Sequence, residues 1–208
     1  MSIYNNIKSN EPIESEGKSF VQFPGPGIVE NNTLETIELL EASNGNKYMK
    51  FSFKNIDTGA QLSRLEWELS EEGQEADKIA KKFNNQLKRL KHIVTKFYPK
   101  EIPSYKTFEG LVGTVTSFDD MATKIINLLN KVIIGETVRL KVVYNYKDQL
   151  SLPEYVPFIE LMKVPKDKSK LTITNFDKTV KEGVTTDNPQ DLTNTTSTVK
   201  VESDDLPF

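Results

Sequence analysis

Three consecutive segments between residues 34 and 69 favour extended structure, the second and third by alternating apolar and polar side chains, and tight-turn sequences separate them. Ser43-Asn44-Gly45-Asn46 lies at the first junction and Asp57-Thr58-Gly59 at the second. Glycine-containing turns between alternating segments are typical of antiparallel hairpins. The chain is therefore predicted to begin its fold with a three-stranded meander, with strands near residues 34–42, 47–54 and 61–69.

The alternation also predicts which side of each strand faces the core, because successive side chains of a strand point to opposite faces. Two apolar faces are expected to fill the interior: Met49, Phe51 and Phe53 in the second strand, and Leu65, Trp67 and Leu69 in the third. The intervening residues are expected to face outward: Tyr48, Lys50, Ser52 and Lys54 in the second strand, and Arg64, Glu66 and Glu68 in the third. Glu66 and Glu68 are therefore interpreted as solvated.

Helical periodicity replaces alternation after residue 74. Apolar residues at intervals of three and four predict a long helix over about residues 75–97 and a second helix near 119–132. Alternation returns in residues 137–147 and 155–163, which predicts two final strands. In the first of these strands Arg139, Lys141 and Lys147 are expected to face outward. The polar face of the long helix carries bases that could extend a binding surface: Lys81, Lys82, Lys88 and Arg89.

Three strands, a helical insertion and two further strands predict a mainly β fold. The favoured interpretation is an OB-fold five-stranded barrel with two helices between strands three and four, at about residues 74–133. A small sandwich or an open α+β sheet would give similar patterns. We expect a flexible arm over residues 1–22, the folded domain over 23–166, and a disordered linker with an acidic C-terminal tip over 167–208. The tail prediction rests on the Thr, Asn, Asp, Ser and Pro composition of residues 183–203.

The composition excludes several kinds of chemistry. The chain has no Cys and only one His, so the residues needed for thiol nucleophiles, for zinc fingers and for the usual histidine-centred catalytic triads are absent or too few. His92 is interpreted as a surface residue, and Asp119-Asp120 as an acidic cap at the start of a helix. No run approaches the roughly 20 apolar residues of a membrane span. We therefore expect a cytoplasmic, non-enzymatic protein without a cofactor or bound metal.

Single-stranded nucleic acid is the binding partner that the outward faces favour. Aromatic rings stack on unpaired bases while lysines follow the phosphates. Lysine outnumbers arginine 24 to 3, and since base-edge readout prefers the arginine fork, sequence-tolerant binding is expected. Lysines on exposed strands also prevent sheet edges from pairing with other chains, and the alternative interpretation is that the lysines here serve only that purpose. The residues predicted to contact single-stranded DNA are Tyr48, Lys50, Lys54, Arg64, Arg139, Lys141 and Lys147.

The last residues of the chain carry a resemblance to a known family. Glu202-Ser203-Asp204-Asp205-Leu206-Pro207-Phe208 closely resembles the acidic tip of bacterial and bacteriophage single-stranded DNA-binding proteins. A weaker resemblance over residues 23–95, with Gly45-Asn46-x-Tyr48-Met49-x-Phe51 and a long helix after the third strand, is similar to the bacteriophage members. The Thr/Asn-rich tail departs from the Gly/Gln/Pro-rich linker of the bacterial form, so its tetramer is not carried over and a monomer or dimer is expected.

The resemblance implies an OB-fold that protects single-stranded DNA in phage replication, recombination and repair. It also implies that the tip recruits partners such as a polymerase or a helicase-primase, through Asp204, Asp205, Leu206, Pro207 and Phe208. Two alternatives remain: a recombination mediator or single-strand annealing protein, and an OB-fold interaction adaptor that binds no nucleic acid. An oxygen-ligand nuclease is a more distant third.

Overall fold

The computed structural model describes residues 21–97, 104–129 and 136–181. Within these ranges the chain is mainly β, with a helical insertion between the third and fourth strands, as the sequence predicted. The elements in chain order are β1 (Gly27–Glu41), β2 (Lys47–Asn55), β3 (Gln61–Trp67), α1 (Ala76–Phe97), α2 (Ser104–Val112), α3 (Phe118–Leu129), β4 (Val138–Tyr144), β5 (Leu150–Ser151) and β6 (Ile159–Leu161).

The strands form one antiparallel sheet in the order β3-β2-β1-β4-β5, with β6 also paired to β4. β1 is 15 residues long and pairs with β2 along one part and with β4 along the other. Its ladders shift register between Leu34 and Thr36 and between Val29 and Asn32. Because such bulges bend a strand, one long strand can serve both halves of a curved sheet.

Buried amides hold the second of these irregularities in place. Asn32 Nδ2 donates hydrogen bonds to the carbonyl oxygens of Val29 at 2.8 Å and of Val138 at 3.3 Å. Asn55 Nδ2 donates to Asn32 Oδ1 at 3.1 Å. The side chains thus satisfy backbone groups that the shifted ladder leaves without partners, as buried polar groups require.

The described residues show a six-stranded open sheet in place of the predicted closed five-stranded barrel. β3 and β5 are the ends of the strand order, and no backbone ladder joins them within the described ranges. A side chain ties them instead: Arg64 Nη1 of β3 donates to the carbonyl oxygens of Leu152 at 3.1 Å and Pro153 at 3.2 Å, directly after β5.

The helices pack on the apolar inner face of the sheet. Residues 108–115, to which the sequence analysis assigned no helix, include most of α2, so the insertion holds three helices and not two. The acidic pair Asp119-Asp120 lies in the first turn of the third helix and not before it, and Ser117 is the cap: Ser117 Oγ accepts from the N–H of Asp120, and Asp120 Oδ2 accepts from the N–H of Thr116. The largest fully buried side chains include Phe51, Phe53, Leu90, Ile93, Met121, Ile125 and Phe158.

The C-terminal boundary predicted at residue 166 falls inside a segment that packs on the body. Leu171 and Asp177 are buried, and the N–H of Tyr144 donates to the carbonyl oxygen of Lys178 at 2.8 Å. The described domain therefore extends to residue 181. Residues 1–20 of the predicted arm, and 182–208 of the predicted tail, lie outside the described residues. No helix of the described ranges has the length and apolar character needed to cross a membrane.

Candidate nucleic-acid interface

An aromatic pair stands on the outer face of the meander. Tyr48 of β2 lies opposite Trp67 of β3 in the ladder, and their ring centroids are 4.5 Å apart at an interplanar angle of 39°. Trp67 is 42% exposed, and Leu65, two residues earlier on the same face, is also exposed. The prediction that Trp67 and Leu65 fill the interior is therefore wrong.

The two faces of β3 are exchanged because its charged residues form a buried network. Arg64 Nε donates to Glu66 Oε1 at 2.9 Å, and both side chains are almost fully buried. Arg89 of α1 completes the arrangement with two bonds of 2.8 Å, one to each carboxylate oxygen of Glu66. The outward placement predicted for Arg64 and the solvated state predicted for Glu66 are both wrong, since each charge is compensated inside the fold.

A groove lies beside the exposed face of β3. It has a volume of about 500 Å³, and Leu65 and Trp67 of β3 line it together with Tyr146 and Lys147 from the hairpin between β4 and β5. The Tyr146 side chain is 85% exposed, and Lys147 Nζ lies 5.4 Å from its ring centroid. The groove therefore combines flat aromatic surfaces with the Lys147 cation, and its lining also includes Glu154, which is ion-paired with Arg64 and Arg89. Of the residues predicted to contact DNA, Arg64 and Lys147 line it.

The hairpin that carries Tyr146 and Lys147 is held by its own hydrogen bonds. Asn145 Oδ1 accepts from the N–H groups of Lys147 at 2.8 Å and Gln149 at 3.1 Å. The N–H of Asn145 donates to the carbonyl oxygen of Gln149 at 2.9 Å. These bonds fix the backbone that presents the two side chains, and Lys147 has no anionic partner among the described residues.

The lysines of β2 lie on the outer face as predicted, but acidic residues of β1 lie beside them. Lys50 Nζ is 3.9 Å from Glu38 Oε2, and Lys54 Nζ is 3.5 Å from Glu35 Oε1. These are partly exposed pairs, which contribute little to stability and are screened by salt. The face formed by β1 and β2 is therefore close to charge balance, unlike the hairpin side of the groove.

Arg139 and Lys141 of β4 are buried, so their predicted exposure is wrong. Both lie on the face opposite the apolar core, as the alternation predicted, but the chain after β6 covers that face. Arg139 Nη1 donates to the carbonyl oxygen of Val164 at 2.8 Å, and Arg139 Nε donates to Glu30 Oε1 at 3.0 Å. Neither residue lines the groove, and we remove both from the candidate site. We remove Arg64 as well, because its side chain is almost fully buried and is held by Glu66 and Glu154.

Lys141 belongs to a buried cluster around Asp177. Lys141 Nζ lies 2.7 Å from Asp177 Oδ2, and the Tyr155 hydroxyl donates to Asp177 Oδ1. The N–H of Thr174 donates to Asp177 Oδ2 at 2.7 Å. Burial by itself raises the pKa of the Asp177 carboxyl, but the bonds from Lys141, Tyr155 and Thr174 outweigh burial and lower that pKa to about 2.

The remaining predicted features divide between surface and interior. Lys81, Lys82 and Lys88 are exposed on α1, whereas Arg89 is held by Glu66.

His92 is not a surface residue: its Nε2 accepts hydrogen bonds from the N–H groups of Phe158 at 3.1 Å and Ile159 at 3.2 Å. Asp204, Asp205, Leu206, Pro207 and Phe208 lie outside the described residues. The described part of the chain contains no group of three or more metal-ligating side chains placed to hold an ion.

Sequence reasoning missed Trp67 and Tyr146 for different reasons. In β3 an Arg and a Glu two residues apart share a face, and that spacing allows the pair to neutralise itself inside a fold, which is a usable signal. Tyr146 lies within residues 137–147, which were predicted to form one strand, but that strand ends at Tyr144, so Tyr146 belongs to the hairpin. Comparison with protein-family models, curated proteins and solved structures finds no match to this chain.

Proposed function

We propose that the protein binds single-stranded DNA without sequence specificity, in a bacteriophage system for DNA replication, recombination and repair. The observation that carries the proposal is the exposed Trp67, packed on Tyr48 at the edge of a groove to which Tyr146 and Lys147 also contribute. Large aromatic side chains in a partly open groove, beside a lysine without an anionic partner among the described residues, are the parts that hold unpaired bases and their phosphates.

The position of the groove supports an OB-type fold for the domain. In OB-folds, the face of strands two and three and the loop between strands four and five bind oligonucleotides. Trp67 lies on the third strand, and Tyr146 lies in the hairpin after the fourth. We propose an OB-type barrel that stays open between β3 and β5, with Arg64 as the link between its two ends.

The arginines support binding that does not depend on sequence. Base edges are read best by the bidentate arginine fork. The three arginines of the chain, Arg64, Arg89 and Arg139, are each held in ion pairs with glutamates. With these forks occupied, stacking and lysine charge remain as the means of binding, and both act on any base.

Trp67→Ala tests the proposal. Because stacking contributes about 1–3 kcal/mol per base, this change should weaken binding of an oligo-dT by about five- to one-hundredfold, measured by fluorescence anisotropy at low salt. Trp67→Phe should retain most of the affinity. Ile56→Ala is the matched control, since Ile56 is 54% exposed but lies in the turn after β2, outside the lining of the groove.

Two outcomes of this experiment contradict the proposal. One is that the natural protein does not bind oligonucleotides at low ionic strength. The other is that Trp67→Ala and Ile56→Ala bind as tightly as the natural protein. Where binding occurs, its log affinity should fall against log salt with a slope of roughly −0.7 per phosphate contacted.

The C-terminal tip is proposed to recruit replication proteins such as a polymerase or helicase-primase. Phe208 and Leu206 supply apolar anchors, and Asp204 and Asp205 supply long-range attraction to a basic pocket. Deletion of residues 200–208 should leave the folded domain intact, leave DNA affinity equal or higher, and abolish recruitment in a pull-down with these partners. Normal recruitment by the shortened chain counts against a role for the tip.

An interaction adaptor is the second candidate, and one observation favours it. Glu35 and Glu38 neutralise Lys54 and Lys50 on the outer sheet face, which leaves that face without net attraction for DNA. An adaptor predicts no oligonucleotide binding at any salt concentration but retained partner binding. The same anisotropy titration therefore separates the two candidates.

A further inference from the structure

The segment that follows β6 forms a fixed turn on the outside of β4. The N–H of Asp177 donates to the carbonyl oxygen of Thr174 at 2.9 Å, which closes the turn. The Asp177 carboxylate bonds back to the N–H and the hydroxyl of Thr174 at 2.7 and 2.9 Å. The same carboxylate is paired with Lys141 inside the fold. The turn is thus fastened to β4.

Phe176 projects from this fixed turn into solvent. Its side chain is 92% exposed, although its neighbour Asp177 is buried. A large apolar side chain in that position contributes almost nothing to the core, since it buries little of its surface. The residues before it, Thr174 and Asn175, are polar and exposed. Ile173 and Val180 of the same segment are also exposed, at 42% and 53%, but Phe176 is the only aromatic residue between positions 166 and 181.

The turn lies next to the hairpin that contributes to the groove. Lys178 Nζ is 2.8 Å from Asp148 Oδ1 of the hairpin, and the N–H of Tyr144 donates to the carbonyl oxygen of Lys178 at 2.8 Å. Lys181 Nζ lies 5.5 Å from the centroid of the Tyr144 ring. Tyr146 and Lys147 occupy the same hairpin, so the turn continues the surface on which they stand.

The charge of this segment favours a nucleic acid over a protein partner. Residues 166–181 contain five lysines and two aspartates in a chain whose net charge is −3. One of the aspartates, Asp177, is buried and paired with Lys141. Lys166 is paired with Glu30 and Lys178 with Asp148. The remaining lysines, Lys168, Lys170 and Lys181, are exposed, and with the exposed aromatic ring they form the stacking and charge combination that binds single strands.

We propose that Phe176 is a second base-stacking platform, and that a single strand continues from the groove across the β4–β5 hairpin onto the turn at Thr174–Asp177. This inference rests on the proposed function and deepens it. A strand long enough to leave the groove contacts Phe176, whereas a short strand that fills only the groove does not.

The experiment compares Phe176→Ala with Trp67→Ala on dT oligonucleotides of about 4 to about 16 nucleotides, which span the site sizes of single folds of this kind. Phe176→Ala should bind the shortest oligonucleotides like the natural protein. It should bind the longest about five- to one-hundredfold more weakly. Trp67→Ala should be weaker at every length. Trp67 is the only tryptophan, so quenching of its fluorescence reports occupation of the groove independently.

The controls separate failure of this inference from failure of the proposed function. Phe176→Tyr should restore affinity for long strands, and Val180→Ala, at an exposed apolar residue in the same segment, should have no effect. If Trp67→Ala weakens binding and Phe176→Ala does not at any length, the second platform is wrong while the groove stands. A change in oligomeric state of Phe176→Ala on sedimentation, with unchanged affinity, would assign the ring to a protein interface instead. If no variant affects binding, the proposed function itself fails.

Discussion

His92 is an acceptor inside the fold. Its Nε2 accepts hydrogen bonds from the backbone N–H groups of Phe158 and Ile159. Its ring packs edge-on against the Phe158 ring, with the two ring centroids 4.9 Å apart. A proton on Nε2 would remove the acceptor from both bonds. Burial, with the positive charge of Lys96 as a smaller cause, lowers the pKa of His92 from 6.5 to about 4. The imidazole is therefore neutral at physiological pH, and it joins α1 to the start of β6.

This pKa predicts how stability depends on pH. Between pH 6.5 and about 4 the unfolded chain binds a proton at His92 that the folded chain does not bind. The free energy of unfolding should therefore be fully retained above pH 6.5 and fall by about 2–3 kcal/mol as the pH drops to 4. Urea denaturation at a series of pH values measures this loss.

The control for this prediction is His92→Gln, which keeps an acceptor but does not titrate. It should flatten the pH dependence between 4 and 6.5. Below that window both proteins should lose stability together, because Asp177, with its pKa lowered to about 2, is protonated in the unfolded chain before the folded one. Equal slopes for the two proteins between pH 4 and 6.5 would show that His92 is solvated in the folded state.

At the scale of elements, local pattern predicted the existence of strands better than the direction in which their side chains face. The alternation in β3 was recognised, but its faces were assigned by hydrophobicity, which placed Trp67 inside and Arg64 outside. The structure reverses them because Arg64, Glu66 and Arg89 neutralise one another in the interior. The spacing of Arg64 and Glu66 indicates that the two can pair, but the network also requires Arg89 of α1, which lies outside the window of residues that forms β3.

β4 illustrates the opposite case. Arg139 and Lys141 lie on the face that the alternation predicted, and Val138, Leu140 and Val142 on the other face lie in the core. Lys141 is nevertheless buried, because residues after β6 cover the outer face. The exposure of a strand residue thus depends on which segment of the chain covers that strand. Because residues after 166 were predicted to be disordered, no segment was expected to cover the outer face of β4. Of the predicted DNA contacts, those on β2 and Lys147 remain at the surface, and the aromatic side chains that complete the groove were found only from the structure.

At the scale of the whole molecule, the segment up to residue 181 is part of the fold. Leu171 is buried, Asp177 is enclosed by Lys141, Tyr155 and Thr174, and the backbone of Lys178 pairs with Tyr144. The folded unit that should be stable alone therefore ends near residue 181. The boundary predicted at residue 166 would remove residues 167–181, which cover the outer face of β4.

A pair of truncated chains tests this boundary. A chain ending at residue 181 should melt like the full-length protein. A chain ending at residue 166 loses the burial of Leu171, worth about 2–3 kcal/mol by itself, so its melting temperature should be lower by at least about 5 °C in calorimetry.

Asp177→Ala in the full chain should be destabilising by about 3–5 kcal/mol, because it leaves Lys141 covered and without its carboxylate. In the shorter chain Lys141 is open to water and carries no such penalty, so adding Lys141→Met should stabilise the Asp177→Ala chain but not the chain ending at 166. Equal melting of the two truncated chains would place residues 167–181 outside the cooperative fold.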